Sequence, residues 1–133
     1  MIVTRRDILK AIRNEKLKNQ NWITLPVLGT DQLGYKITGE PSSTCKVCAV
    51  GAVLRTVGIP NDRISITADQ IVSNGNCTSG GDELAELREG RYMNALSVRF
   101  ENLAKKYGCG KKTKEILIRF VKRHFPKTIE IEA

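Results

Sequence analysis

The sequence predicts an α+β fold, mainly helical: a central buried small-residue helix surrounded by amphipathic helices, with a minor N-terminal hairpin or short sheet. Three observations predict it. Residues 45–57 are apolar on two faces, as a helix running through an interior requires. Apolar residues recur at helical spacing within residues 8–17, 93–107 and 116–121. Extended-type segments are short, and Pro26 keeps the first of them out of a central sheet position because it has no amide donor. A length of 133 residues suits one domain over 1–133, and 41% hydrophobic residues allow a real core. Aromatics make up only 5%, so that core is expected to be aliphatic.

The first helix begins at Thr4, a capping residue answered by Asp7 three positions on. Ile8, Leu9, Ile12 and Leu17 form its apolar side, and Asn19, Gln20 and Asn21 end it. Residues 22–28 read as extended, residues 29–34 as a turn, and residues 35–38 as a returning hairpin partner. The helix over 45–57 places Cys45, Cys48, Ala49 and Ala52 on one small face and Val47, Val50, Leu54 and Val57 on another. Such a small face admits a neighbouring backbone, and Gly58 and Pro60 stop the helix. Thr67 to Gln70 matches a capping box before Ile71 and Val72, predicting a short helix there. Residues 74–81 are a loop by composition. Asp82, Glu83 and Glu86 open another short helix, where the helix dipole favours acids, and Gly90 ends it. Met93, Leu96, Phe100, Leu103, Ala104 and Tyr107 stripe a long helix, which the Gly108-Cys109-Gly110 break separates from the last one. Ile116, Leu117, Phe120 and Val121 stripe that last helix up to Pro126, and residues 128–132 alternate like a terminal strand.

Charge is the strongest compositional clue to function. There are 22 Lys and Arg against 14 Asp and Glu, a formal net charge of +8. Such a surface attracts polyanions, although a charge of this size is also within the ordinary range for solubility. The last two helices have a superficial helix-turn-helix outline. Lys105 and Lys106 close the first of them, and Lys111, Lys112, Lys114, Arg119, Lys122 and Arg123 decorate the second. A lysine-heavy face suits phosphate contact better than base reading, which needs Asn, Gln or Arg at base edges. Gly108, Gly110, Lys111, Lys112 and Thr113 also resemble a phosphate-holding turn at a helix start. They do not form a P-loop, because Lys105 stands where the first glycine belongs and Thr113 is one place late.

The cysteines invite two further readings. Cys45 and Cys48 have zinc-pair spacing, but Cys77 and Cys109 stand far apart, so a four-thiolate site competes with plain core cysteines. A thiol enzyme would use Cys45 or Cys48 at a helix N-terminus, with His124, the chain's only histidine, as base. His124 follows Phe120 on the stripe of the last helix, which favours a packed or helix-end role instead. No cofactor motif is present, and no apolar run approaches a membrane span, so no membrane partner is expected. The start, Met1 to Asp7, has no apolar signal stretch, so a cytoplasmic protein with reduced thiols is expected.

The helix Cys45-Lys-Val-Cys48-Ala-Val-Gly-Ala, preceded by Trp22 and followed by the ending Phe120-Val-Lys-Arg-His-Phe-Pro126, resembles small uncharacterised bacteriophage and prophage proteins. That resemblance implies an accessory role, such as countering host defence, and carries no functional residues with it. The expectation is a non-enzymatic protein that binds an anionic partner, a nucleotide signal or a nucleic acid, through the basic region 105–123. An inhibitor of a host enzyme that docks an acidic host protein, and a cysteine-dependent hydrolase with a Cys–His pair, are the alternatives.

Overall fold

The computed structural model describes residues 1–19, 21–73 and 82–131. Chain order is β1 (Ile2–Thr4), α1 (Arg5–Asn14), β2 (Val27–Thr30), β3 (Lys36–Thr38), α2 (Ala49–Thr56), a 3-10 turn (Asn61–Arg63), α3 (Ile64–Ser73), α4 (Glu83–Arg88), α5 (Tyr92–Tyr107), α6 (Lys111–His124) and β4 (Thr128–Glu130). The α+β, mainly helical expectation holds, with two small two-stranded sheets beside the helices.

The centre is α2, which packs against α1, α3 and α5. Its residues Ala49 to Leu54 are all buried, so the two-faced apolar pattern reports its place in the interior. The close backbone approach expected of the small face occurs instead at Gly51, a residue outside that set. A Cβ built on Gly51 would run into the Trp22 carbonyl, so only glycine lets the 22–24 segment lie against this turn. The helix is shorter than predicted, starting at Ala49 instead of Cys45. Val47 is extended, bridging to Leu17 and Ile23, because a strand-like crossing there pairs three backbone segments under the core. Cys48 becomes the N-cap, its sulfur accepting from the Gly51 N–H at 3.3 Å.

Thr4 and Asp7 form a reciprocal capping box, with bonds of 3.0 and 3.2 Å, so α1 starts where predicted. It stops at Asn14, however, and Leu17 enters the core from the extended stretch beyond. The predicted cap at Thr67 is overturned. The helix begins at Ile64, led in by Pro60 and the 3-10 turn, and Thr67 lies buried inside it. The terminal strand is β4, and its partner is β1, which the sequence reading missed: Val3 pairs with Ile129 and both are buried. A three-residue strand leaves too little alternation to recognise. The predicted loop over 74–81, with Cys77, and the end of the predicted terminal strand at Glu132 lie outside the described residues.

The hairpin β2–β3 stands away from this core, and every residue of both strands is exposed. Around it Val27, Leu28, Leu33, Tyr35 and Ile37 show apolar surface to solvent. Among the described residues no helix is long and apolar enough to cross a membrane.

Candidate functional site

Packing of α6 against α1 and α5 decides which cations meet. The Gly108-Cys109-Gly110 break turns the chain between α5 and α6. Gly108 has φ +82°, a left-handed conformation that favours glycine at a helix C-terminus. Thr113 secures the turn from inside. It is fully buried, and its hydroxyl donates to the carbonyls of Gly108 at 2.6 Å and Leu103 at 3.4 Å. This corrects the expectation of Thr113 as a phosphate ligand: its donor is spent on the α5 C-terminus, away from solvent.

The predicted basic set divides over two flanks of α6. Lys111 and Lys114, with Ile118, follow the three- and four-residue spacing of one face. That face borders a cleft of about 710 Å³ that is also lined by Arg13, Lys16, Leu17, Lys46, Cys109 and Gly110. Arg13, Lys16, Lys46, Lys111 and Lys114 line it against the carboxylate of Glu115, which sits 3.9 Å from the Lys111 ammonium at an exposed i,i+4 position. Such an exposed pair holds its charges only weakly, so Lys111 stays available to an anion. Lys114 has a second job: its ammonium donates to the Glu15 carbonyl at 2.6 Å and to the Arg13 carbonyl at 3.4 Å, holding the negative end of the α1 dipole.

The remaining predicted cations stand elsewhere. Lys106 and Lys112 gather over the Tyr107 ring, at 5.2 and 4.4 Å from its centroid. Lys105 pairs with Glu101 at 2.8 Å. Arg119 and Arg123 are exposed on the Lys112 flank of α6. The structure thus takes Gly110, Lys111 and Lys114 from the predicted set into the cleft, and supplies Arg13, Lys16 and Lys46, which sequence reasoning missed.

A smaller basic cleft of about 360 Å³ lies at the other end of α1, lined by Thr4, Arg5, Arg6, Leu9, Arg13 and Lys127. Arg13 borders both clefts. Between them Arg6, Lys10 and Arg13 occupy the exposed face of α1 at i, i+4 and i+7. That row was legible, but nothing in sequence says that it continues into α6.

The cysteine readings fare differently. Cys48 does sit at a helix N-terminus, yet its thiol is pushed up from an ordinary 9.0 to about 11. Burial is the main cause and outweighs the backbone N–H groups that pull the other way, so the expectation of an activated thiolate fails at Cys48. Cys45 is buried too, its sulfur 3.6 Å from the Ser42 hydroxyl. His124 is exposed at the far end of α6 and packs at a tilt against Phe120 with centroids 5.1 Å apart, while Phe120 also meets Phe125. Neither cysteine is hydrogen-bonded to it in the contacts described. Among the described residues no group of three or more His, Cys, Asp or Glu is placed to hold a metal ion, and Cys77 of the proposed four-thiolate set lies outside them.

A further cleft of about 730 Å³ opens beneath the β2–β3 hairpin, bordered by Trp22, Thr24, Asp69, Phe100 and Glu101. Asp69 accepts from the Trp22 indole at 2.7 Å and Glu101 pairs with Lys105, so this cleft lacks the cationic excess of the α1–α6 cleft. Compared with family models, curated proteins and solved structures, the chain finds no match.

Proposed function

We propose that this is a non-enzymatic, cytoplasmic accessory protein of the phage type, which binds a phosphate-bearing partner, a nucleotide or a nucleic acid, in the cleft between α1 and α6. The observation that carries the reading is the convergence of Arg13, Lys16, Lys46, Lys111 and Lys114 from three separate stretches of chain on one concavity. Cations crowded in one cleft repel each other and are relieved by an anion. Leu17 and Ile118 add an apolar part to the cleft, which Cys109 and Glu115 also border.

The test reverses Lys16 and Lys111 together, leaving Lys114 in place because it holds the end of α1. Lys16→Glu/Lys111→Glu is expected to weaken binding of adenosine triphosphate and of a DNA oligonucleotide at least about tenfold at low salt. Reversing the exposed Arg63, which lines neither cleft, with the also exposed Lys36 makes the same change in net charge and is the control. Equal loss in both variants would mean that only total charge matters and would reject the cleft.

Inhibition of a host enzyme is the second reading, and a different face favours it. Leu28, Leu33 and Tyr35 on the projecting hairpin are 71%, 82% and 69% exposed, an apolar group of the kind that marks protein contacts. A pull-down from host lysate that survives nuclease treatment and fails with Leu28→Ser/Leu33→Ser supports this reading. One that survives both the nuclease and the substitutions counts against it.

A further inference from the structure

We infer that the partner is a nucleic-acid duplex gripped by its phosphate backbone along α1, a deepening that rests on the anion-binding reading above. The two basic clefts are not independent. Arg13 lies in the lining of both, and Arg6, Lys10 and Arg13 join them along one exposed helix face. Positive charge therefore runs from Arg6 and Lys127 at one end of α1 to Lys16, Lys46 and Lys111 at the other. From Arg6 to Arg13 the α-helical rise amounts to about 10 Å. A mononucleotide fills one cleft and leaves the other empty. A polymer with a phosphate every ~3.4 Å of axis on each strand meets both clefts and the row between them.

The absence of rings along the track selects the duplex. Neither cleft lining contains Trp, Tyr or Phe; the apolar groups there are Leu9, Leu17 and Ile118. Single strands are held largely by stacking their bases on aromatic side chains, with about 1–3 kcal/mol from each. A duplex keeps its bases stacked inside and turns phosphates outward, which suits a surface where Arg and Lys far outnumber the one carboxylate, Glu115. Among the described residues Asn and Gln, which read adenine edges, are missing from both linings, and with Arg6 and Arg13 engaged on phosphates the binding depends little on sequence. The far cleft reaches the polymer through two side chains that have few structural duties. Arg6 and Lys127 are exposed, whereas Arg5 is tied to the Phe125 carbonyl at 3.1 Å.

The experiment measures binding of three probes by fluorescence anisotropy: a 20-base-pair DNA duplex, a 20-nucleotide single strand of mixed sequence, and adenosine triphosphate. The duplex is expected to bind tightest, and a second duplex of unrelated sequence to match it within about twofold. Arg6→Glu/Lys127→Glu is expected to weaken the duplex about tenfold or more while leaving triphosphate binding unchanged, since the α1–α6 cleft is intact. Arg6→Gln/Lys127→Gln, checked for its unfolding midpoint, should show a smaller loss in the same direction. Undiminished duplex binding in both variants would overturn the track, as would a single strand that binds more tightly than the duplex. In either case triphosphate binding that still depends on Lys16 and Lys111 would leave the cleft standing. Failure of every probe to bind the unaltered protein would remove both.

Discussion

At the scale of single residues, the environment decided what the chemistry of the side chain could do. The sequence places Cys48 as a thiol beside a helix N-terminus, and it is one, but the same packing that places it there removes it from water. The native state therefore binds the thiol proton more tightly than the unfolded chain does. Such a group adds stability that is complete below its unfolded pKa near 9.0 and is lost as pH rises to about 11. Cys48→Ala is accordingly expected to lose stability less steeply than the unaltered protein between pH 9 and 11 in urea titrations. Parallel curves would show that the thiol does not ionise in that range in the unfolded chain or does so equally in both states. Thr113 repeats the lesson in a simpler form. The Gly-Lys-Lys-Thr run is legible as a phosphate-holding turn, but the spacing does not reveal that the hydroxyl faces the end of α5. The small residues of this helix imply a close backbone approach, but the Trp22 carbonyl meets Gly51 and not the face of Cys45, Cys48, Ala49 and Ala52.

At the scale of elements, periodicity was reliable where an element was long and amphipathic, as in α5 and α6, and weak where tertiary pairing sets the boundary. The stretch 45–47 left the helix because Val47 has two backbone partners to satisfy, at Leu17 and Ile23, and neither is near it in sequence. Arg55 organises this region, and the sequence offered no signal for it beyond a basic residue in the last turn of α2. Its guanidinium donates to Asn61 at 3.1 Å, to Glu15 at 2.9 Å and to the carbonyls of Cys45 and Ser42 at 2.9 and 3.1 Å. With its side chain 11% exposed, it fastens the loop before α2 to the end of α1, the same end that Lys114 holds from α6. Arg55→Ala is expected to cost about 3 kcal/mol in chemical denaturation, because it strands Glu15 and the carbonyls together. Arg55→Lys should recover little of that, since an ammonium cannot span so many acceptors in a plane. Full recovery by lysine would reduce Arg55 to a point charge.

Over the whole molecule, the excess of cations was visible in composition, while its distribution was not. The reading of 105–123 as one basic region was half of the answer. Wrapping the chain on α6 sent Lys106 and Lys112 to Tyr107 and brought Lys111 to face Arg13, Lys16 and Lys46 from the other end of the sequence. No helical pattern can supply such a meeting, because it depends on how α1 and α6 cross. The fold class was legible because burying two-faced and one-faced helices admits few arrangements. The site was legible only in its α6 half.

The most direct measurement is the salt dependence of duplex affinity, for the unaltered protein and for Arg6→Glu/Lys127→Glu. Contact with roughly five phosphates along the two clefts predicts that log K falls with log salt at a slope of about −4 to −5, and removing two contacts lowers its magnitude by about 2. A slope near zero, or one that the substitutions leave unchanged, would contradict a phosphate grip along α1.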